Sequence, residues 1–269
     1  MTKRNKVNPM KIWITGASSG IGEETAVEFA RRGASLVLSG RRVAELERVA
    51  GRCTEAGAAA TCILAFDLAD TGVLEEMAAR AWDAFGGLDI FYCNAGISQR
   101  CDTDEADISL IRKVMEVDFF SPVILTKAVL SRMLSSGRGG TLACTSSIAG
   151  LFGSRQRCAY SSAKGAIQRF YETIAAEYHD RGIRTTVIIP GRVRTNISFS
   201  ALEAGGKAHG VLDSGQEKGI SAQKAGRIIA KAIIKGKREK LVGGIELVAA
   251  YAKRFIPALS AFISRKVTN

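Results

Sequence analysis

Short apolar runs alternate with amphipathic stretches along most of the chain, and this alternation predicts strands separated by helices. The predicted strands span residues 10–15, 35–39, 61–66, 88–93, 140–145, 183–190 and, more briefly, 239–243. The predicted helices span residues 20–32, 43–56, 74–85, 104–116, 119–135, 159–181 and 221–235. Strands that are apolar throughout and separated by helices indicate a parallel sheet covered on both faces, which is an α/β fold.

No linker divides residues 10–244, so a single domain is expected. Met1–Pro9 is polar, lacks the apolar stretch of a secretory signal, and is expected to be a flexible tail. Glycines interrupt the alternation between residues 196 and 219, which predicts a mobile insertion. Residues 245–269 place apolar side chains at helical spacing among basic ones and predict an amphipathic extension. That extension could lie on a membrane surface, on the insertion or on a second subunit.

The composition is that of a folded globular protein. Of the 269 residues, 46% are hydrophobic and 24% are charged, which excludes disorder as the main state. The net charge of +12 is concentrated in residues 192–269, which hold 15 Lys and Arg against five Asp and Glu. Solubilising surface charge is the simplest interpretation. An acidic protein or an anionic membrane surface is the alternative, and no nucleic-acid partner is expected because no basic motif with interleaved aromatic residues occurs.

The cysteines and histidines indicate neither disulfides nor a metal. The six cysteines form no C-x-x-C pair and several lie in apolar runs, as buried thiols of a reducing compartment do, so a cytoplasmic location is expected. No run of about 18 uncharged apolar residues occurs, so membrane contact would be peripheral at most. His179 and His209 lie far apart, and no metal site is expected.

A glycine-rich turn follows the first predicted strand and opens the first predicted helix. It reads Thr15–Gly22 with the spacing G-x-x-x-G-x-G. Glycines let the backbone approach a ligand closely, and the N–H groups at the start of a helix attract a diphosphate. The turn therefore predicts a dinucleotide site, with a tight structural turn as the alternative.

Arg41 and Arg42 follow the end of the second predicted strand, where a carboxylate would favour NAD by binding the adenine ribose. Two guanidinium groups instead suit a phosphate, so NADP(H) is the expected cofactor. The alternative is that both arginines belong to a solvated helix face.

A Tyr, a Lys and a Ser stand at a spacing that suits proton transfer. Tyr160 and Lys164 lie four residues apart on one predicted helix, so their side chains share a face. A neighbouring ammonium favours the phenolate and makes a tyrosine a better acid and base near neutral pH. Ser147 follows the fifth predicted strand, where its hydroxyl could bind a substrate oxygen.

Together these motifs resemble the short-chain dehydrogenase/reductase family, over nearly all of residues 10–245. Further matches are Asp67, Asn94-Ala95-Gly96, Pro190-Gly191 and Thr195. The resemblance implies a single-domain Rossmann fold, a doubly wound sheet of about seven strands, and hydride transfer between a nicotinamide and a carbonyl or alcohol carbon. A weaker likeness to the dehydrogenase/reductase member 7-like branch, which includes membrane-associated proteins with lipophilic substrates, lies in residues 114–120, residues 146–152 and the tail.

The resemblance also implies roles for single residues. Tyr160 would be the general acid in reduction and the base in oxidation, Lys164 would favour its ionisation and bind the nicotinamide ribose, and Ser147 would orient the substrate oxygen. The diphosphate would lie along Gly16, Ser18, Ser19, Gly20, Ile21 and Gly22. The adenine would meet Asp67 and Leu68, and the cofactor ribose would meet Asn94, Ala95 and Gly96. The nicotinamide end would be held by Pro190, Gly191, Val193 and Thr195.

One catalytic position departs from the family. The resemblance implies an Asn at a helix bend, and this chain has Asp118 there, within Met115-Glu116-Val117-Asp118. Asp keeps the size but loses the NH₂ donor, and its charge could pair with Lys164. Retained activity with an altered proton relay is expected. A catalytically weak NADPH-binding sensor is the alternative.

The substrate is expected to be a lipophilic ketone or secondary alcohol. Leu151, Phe152 and Gln156 should border it beside Ser147 and Tyr160, and residues 196–219 should form a lid. The apolar lid residues favour a lipophilic molecule, although they could simply pack the lid onto the domain. A 3-oxoacyl thioester is the alternative substrate, carried by an acidic protein that docks on the basic last third. The family resemblance implies a homodimer or homotetramer.

Overall fold

Seven of the predicted apolar runs form one parallel sheet. The computed structural model describes residues 8–211, 213–248, 250, 255 and 256. The strands of this sheet are β1 (Lys11–Thr15), β2 (Ser35–Gly40), β3 (Ala60–Ala65), β4 (Ile90–Cys93), β5 (Gly140–Thr145), β6 (Ile183–Pro190) and β9 (Glu239–Val242). Their order is β3-β2-β1-β4-β5-β6-β9, and every neighbouring pair is parallel. The chain thus winds outward in both directions from β1 and β4, which confirms the predicted doubly wound α/β fold.

Helices cover both faces of the sheet, as the sequence predicted. They are α1 (Gly20–Ala30), α2 (Val43–Glu55), α3 (Leu74–Asp83), α4 (Ile108–Met115), α5 (Ser121–Ser136), α6 (Cys158–Tyr178), α7 (Ser214–Glu217) and α8 (Ala222–Ile234). One face packs on α1, α2 and α8, and the other packs on α3, α5 and α6. In β1 the side chains of Ile12 and Ile14 enter the first core and Trp13 enters the second, because successive strand residues point to opposite faces.

Two helix boundaries differ from the prediction for local reasons. The helix expected from residue 104 begins at Ile108, because the Asp107 side chain caps it by accepting a hydrogen bond from the Leu110 N–H at 2.8 Å. A π-helical turn, Glu116–Phe120, then joins α4 to α5. The turn inserts an extra residue into a continuous helical path, and hydrophobic spacing does not report such a bulge.

The described part of the glycine-rich insertion between residues 196 and 219 contains short regular elements. It contains a 3₁₀ turn, Ala204–Gly206, and the short helix α7. Directly after it, β8 (Ile220–Ser221) pairs in parallel with β7 (Val193–Arg194). The Leu202 N–H donates to the Ser98 carbonyl at 2.8 Å, and the Arg100 N–H donates to the Leu202 carbonyl at 2.8 Å. These bonds fasten the insertion beside the carboxyl ends of the strands.

The two ends of the chain are only partly described. Of the expected tail Met1–Pro9, residues 1–7 lie outside the described residues. Of the expected extension at 245–269, the structure describes a 3₁₀ turn at Ile245–Leu247 and a few residues beyond it, so the extension stays a prediction. Within the described ranges, no helix is both long enough and apolar enough to span a membrane.

Candidate active site and cofactor cleft

A cleft of about 800 Å³ lies at the carboxyl ends of the strands, where the order reverses between β1 and β4. Such a crevice is the usual ligand site of an open α/β sheet, and its volume falls within the range of cofactor sites. The predicted cofactor residues that line it are Gly16, Ser18, Ser19, Gly20, Ile21, Arg41, Arg42, Asp67, Leu68, Asn94, Ala95, Gly96 and Thr195. The remaining six do not line it: Gly22, Pro190, Gly191 and Val193 lie in α1 and around the end of β6, and Tyr160 and Lys164 lie on α6.

The glycine turn is packed so tightly that Gly16 and Gly22 leave no room for a side chain. Gly16 has φ of +67°, and a Cβ there would lie 2.7 Å from the Ala95 Cα. A Cβ at Gly22 would collide with the Gly16 carbonyl. This cradle of bare backbone opens onto the start of α1, whose exposed N–H groups suit a diphosphate. The residues of this turn therefore fit a dinucleotide.

Hydrogen bonds fix the turn to the end of β4. The Thr15 hydroxyl oxygen accepts from the backbone N–H groups of Asn94 at 3.1 Å and Ala95 at 3.2 Å. The Asn94 side-chain amide donates in return to the carbonyls of Thr15 at 3.2 Å and Gly16 at 3.3 Å. Asn94 therefore shapes the cleft from behind as well as lining it.

Arg41 and Arg42 stand exposed at the rim of the cleft. The Arg41 guanidinium lies 3.7 Å from the Asp67 carboxylate, and the two side chains are 69% and 47% exposed. Ion pairs this exposed contribute little to stability, so Arg41 can exchange its partner for a phosphate at low cost. Arg42 is the N-cap residue of α2.

Tyr160 and Lys164 lie buried on α6 with their side chains together. The Lys164 Nζ is 5.7 Å from the centre of the Tyr160 ring. It donates to the Thr145 carbonyl at 3.2 Å, and a Cβ at Gly96 would lie 2.9 Å from it. Because Thr145 and Gly96 both line the cleft, the cleft ends beside the lysine.

Asp118 sits in the π-helical turn and faces the same lysine. Its Oδ2 is 3.1 Å from the Lys164 Nζ, and its Oδ1 accepts a hydrogen bond from the Ile97 N–H at 2.7 Å. Burial raises the pKa of Asp118 above its ordinary value, although Lys164 and the Ile97 N–H oppose the change. Burial acts against the Lys164 charge too, but the charges of Asp118 and Tyr160 and the hydrogen bond to Asp118 together raise the pKa of Lys164. Lys164 is therefore held as a charged ammonium.

Ser147 follows β5 and begins a 3₁₀ turn, Ile148–Gly150. It is buried, and its hydroxyl oxygen accepts from the Ala149 N–H at 3.2 Å. The role of its neighbour Ser146 is not evident from the sequence. The Ser146 hydroxyl donates to the Lys164 carbonyl at 2.7 Å and accepts from the Gln168 side-chain amide at 2.9 Å. Ser146 thus ties the serine segment to the helix that carries Tyr160.

The predicted substrate residues have different surroundings. Leu151 is half-buried against the second core, Phe152 is half-buried, and Gln156 is exposed with a positive φ of 59°. None of these three residues lines the cleft. Apolar residues of the insertion line it instead. Those apolar residues are Ile197, Phe199 and Leu202.

Sequence reasoning also missed a buried charge cluster between the insertion and the start of α6. The Arg100 guanidinium pairs with the Asp213 carboxylate, with both side chains buried. The Arg157 guanidinium lies 3.6 Å from the same carboxylate and 5.7 Å from the centre of the Tyr160 ring. No sequence signal joins these residues, because Arg100 and Asp213 are 113 positions apart. Across the described ranges, no group of three or more His, Cys, Asp and Glu side chains could hold a metal ion.

The doubly wound sheet, with its cleft where the strand order reverses, defines an α/β protein of the Rossmann type, and comparison with known proteins shows its family. Residues 10–204 match the short chain dehydrogenase family. The chain therefore belongs to the short-chain dehydrogenase/reductase family, whose members are oxidoreductases. It is similar to dehydrogenase/reductase SDR family member 7B of Rattus norvegicus, with 38% identity over 91% of this chain and 77% of the relative. It is also similar to an SDR family protein 7-like of Drosophila melanogaster, with 34% identity over 98% of this chain and 82% of the relative.

Two solved structures share the fold. One is an alcohol dehydrogenase from the archaeon Thermococcus sibiricus complexed with 5-hydroxy-NADP. It has a TM-score of 0.74 and 24% identity, and the match covers 88% of this chain and 97% of the other. The second is a short-chain dehydrogenase/reductase from Burkholderia phymatum in complex with NAD. It has a TM-score of 0.80 and 20% identity, with 94% and 95% covered. At these identities the likeness establishes the fold alone.

Proposed function

We propose that this protein transfers a hydride between NADP(H) and a lipophilic ketone or secondary alcohol, with Tyr160 as the acid and base. The observation that carries the proposal is the buried pair of Tyr160 and Lys164 at the end of the cleft, where Lys164 contacts two residues that line it. A titratable side chain beside a fixed charge at the end of such a cleft is the arrangement that proton transfer requires.

The residues divide the reaction between them. When bound, the nicotinamide supplies a hydride to the carbonyl carbon, or accepts one from the alcohol carbon. In reduction the Tyr160 hydroxyl donates its proton to the carbonyl oxygen, and in oxidation the phenolate takes that proton back. The Lys164 ammonium, held by Asp118 and the Thr145 carbonyl, stabilises the phenolate. Ser147 orients the substrate oxygen and stabilises its charge.

The preference for NADP(H) rests on the two rim arginines. Both line the cleft beside Asp67, and Arg41 has no more than an exposed, weak ion pair to give up. A guanidinium forms two parallel, charge-assisted hydrogen bonds with a phosphate, which a ribose hydroxyl does not offer.

The preference for a lipophilic substrate rests on the apolar insertion residues over the cleft. Phe199 is half exposed there, and Ile197 and Leu202 also line the cleft. The alternative substrate, a 3-oxoacyl thioester on an acidic carrier protein, is favoured by the excess of basic residues in 192–269. The homodimer or homotetramer that the family implies stays a prediction.

The cofactor proposal is tested by titrating NADPH and NADH against the wild-type protein and the variants Arg41→Ala and Arg42→Ala, with fluorescence as the readout. Loss of one exposed phosphate contact should weaken NADPH binding about tenfold and leave NADH unchanged. Arg80→Ala is the matched control, because Arg80 is a similarly exposed helix arginine remote from the cleft. NADH binding as tight as NADPH in the wild type would contradict the proposal.

The chemistry is tested with a panel of ketones, aldehydes and 3-oxoacyl thioesters. Tyr160→Phe should lower turnover by at least about 10²-fold while NADPH still binds. Tight NADPH binding with no turnover of any panel member would favour the alternative that this protein is a catalytically weak NADPH-binding sensor, which the Asp at position 118 suggests.

A further inference from the structure

Tyr160 has a second cation beside its ring. The guanidinium carbon of Arg157 is 5.7 Å from the ring centre, the same distance as the Lys164 Nζ. Arg157 is the N-cap residue of α6, three positions before Tyr160, and Lys164 lies four positions after it. Each cation is therefore one helical turn from the tyrosine.

Arg157 is held in this place by the insertion. Its side chain is 14% exposed, and its Nη2 is 3.6 Å from the Asp213 Oδ2. Asp213 is itself fixed, because it pairs with buried Arg100 and its backbone N–H donates to the Ser198 hydroxyl at 3.2 Å. Within the described residues, the buried Nε of Arg157 has no hydrogen-bond partner. Hydrogen bonding alone therefore does not explain why this guanidinium is buried.

The charge of Arg157 is only partly neutralised. Two guanidinium groups, of Arg100 and Arg157, share the single Asp213 carboxylate, and Arg192 adds further positive charge. Burial, followed by repulsion from Arg100, lowers the pKa of Arg157 to about 10, so the side chain stays charged at neutral pH. The Asp118 carboxylate pairs with Lys164, since its Oδ2 lies 3.1 Å from the Lys164 Nζ.

We propose that Arg157 is a positioning residue for Tyr160: a second cation that favours the phenolate together with Lys164. Like charges and unbalanced charge are costly in a buried site, so a guanidinium kept there suggests that it acts on a neighbouring group. The ring of Tyr160 is that neighbour, and negative charge develops on it when the phenol loses its proton. This inference deepens the proposed function, on which its catalytic meaning rests.

The test measures the ionisation of Tyr160 without any substrate. The tyrosinate absorbance of the full chain is titrated with base, and the same titration of Tyr160→Phe is subtracted to isolate one tyrosine of the five. Burial raises the pKa values of Tyr92 and Tyr171, so both titrate late. The measurement is then repeated in Arg157→Gln and Arg157→Lys, each against its own double variant with Tyr160→Phe.

In Arg157→Gln the Tyr160 titration should move to higher pH by about one unit, since a cation at this distance acts on that scale. In Arg157→Lys the titration should move less than in Arg157→Gln, because the ammonium keeps the positive charge over the lower part of the pH range. Arg169→Gln is the matched control on the same helix, because Arg169 is 69% exposed and pairs with Glu172. A Tyr160 titration in Arg157→Gln that superimposes on the wild type overturns the proposal, as does an equal shift in the glutamine and lysine variants.

Two further measurements keep the result interpretable. If Arg157→Gln does not fold, Arg157→His replaces it, because a histidine is charged below about pH 6 and neutral well above it. The Tyr160 titration of Arg157→His should then move to higher pH, as expected for the glutamine variant. A Tyr160 titration of Arg157→His that matches the wild type would refute the role of the charge. Because absorbance does not depend on turnover, a failure here is distinct from a failure of the proposed function, which Tyr160→Phe tests by activity.

Discussion

Replacing Gly150 by alanine should disturb the geometry of the candidate site from a position that contacts neither substrate nor cofactor in the proposed mechanism. Gly150 ends the 3₁₀ turn that Ser147 begins, and it packs directly on α6. A Cβ there would lie 2.7 Å from the carbonyl carbon of Lys164, 2.8 Å from its carbonyl oxygen and 2.9 Å from the Ser146 hydroxyl. Two of these three atoms are backbone, so they cannot swing aside.

The size of the effect follows from these distances. Ordinary contact of a Cβ begins at 3.4 Å. The turn and α6 must therefore separate by about 0.7 Å, and overpacking of this kind costs about 1–3 kcal/mol of unfolding free energy. The separation carries Ser147 away from Tyr160 and strains the 2.7 Å hydrogen bond between Ser146 and Lys164. Since a misplacement of about 1 Å can cost about 10²-fold in rate, kcat should fall about 10- to 100-fold.

The assay compares initial rates, NADPH binding and urea unfolding of Gly150→Ala with those of Gly153→Ala. A Cβ at Gly153 would meet nothing within 4 Å, so this second alanine adds the same methyl group, three residues later, without a contact. NADPH binding should change little in either variant, because neither glycine lines the cleft. If Gly150→Ala turned over and unfolded like Gly153→Ala, the argument from close packing would be refuted.

Two further predictions concern stability and thiol reactivity. Burial opposes the charge of Glu23, but hydrogen bonds from Arg48 and Arg52 outweigh burial and lower the pKa of Glu23 below 4.5. The ionised Glu23 therefore stabilises the folded state above pH 4.5. This stabilisation is lost as the pH falls through the lower pKa that Glu23 has in the folded protein. Glu23→Gln should lower the unfolding free energy at pH 7 by about 1–3 kcal/mol, and urea titrations toward pH 3.5 should show that difference shrink; a constant difference would contradict the assignment. Burial raises the pKa of four cysteines, and these should react with a thiol reagent only after unfolding. Partly exposed Cys62 and Cys158 should react first, as peptide mass spectrometry would show. The four protected cysteines are Cys53, Cys93, Cys101 and Cys144.

The sheet could be predicted because a parallel strand buried on both faces is apolar at nearly every position. Such runs are visible in the sequence without any partner, and their alternation with helices decides the topology class. The glycine turn could be placed for the same reason, since it stands between a predicted strand and a predicted helix. The contact of Asp118 with Lys164 was anticipated through a motif: its carboxylate stands where the family has an amide, and the structure places it 3.1 Å from the lysine.

The insertion shows where sequence reasoning ended. Its glycines predict mobility, which stays a prediction, and in the structure they supply turns: Gly205, Gly206 and Gly210 have φ values of 72°, 77° and 69°. What then holds the insertion is a backbone bridge at Leu202 and the pairing of Asp213 with Arg100. Neither has a periodic or local signal, because a strand bridge of one residue and an ion pair across 113 positions depend on the finished fold. Arg157 stands only three positions before Tyr160, but the carboxylate beside its guanidinium, that of Asp213, comes from the insertion. The part of the site that motifs do not predict is therefore the part that distant segments assemble.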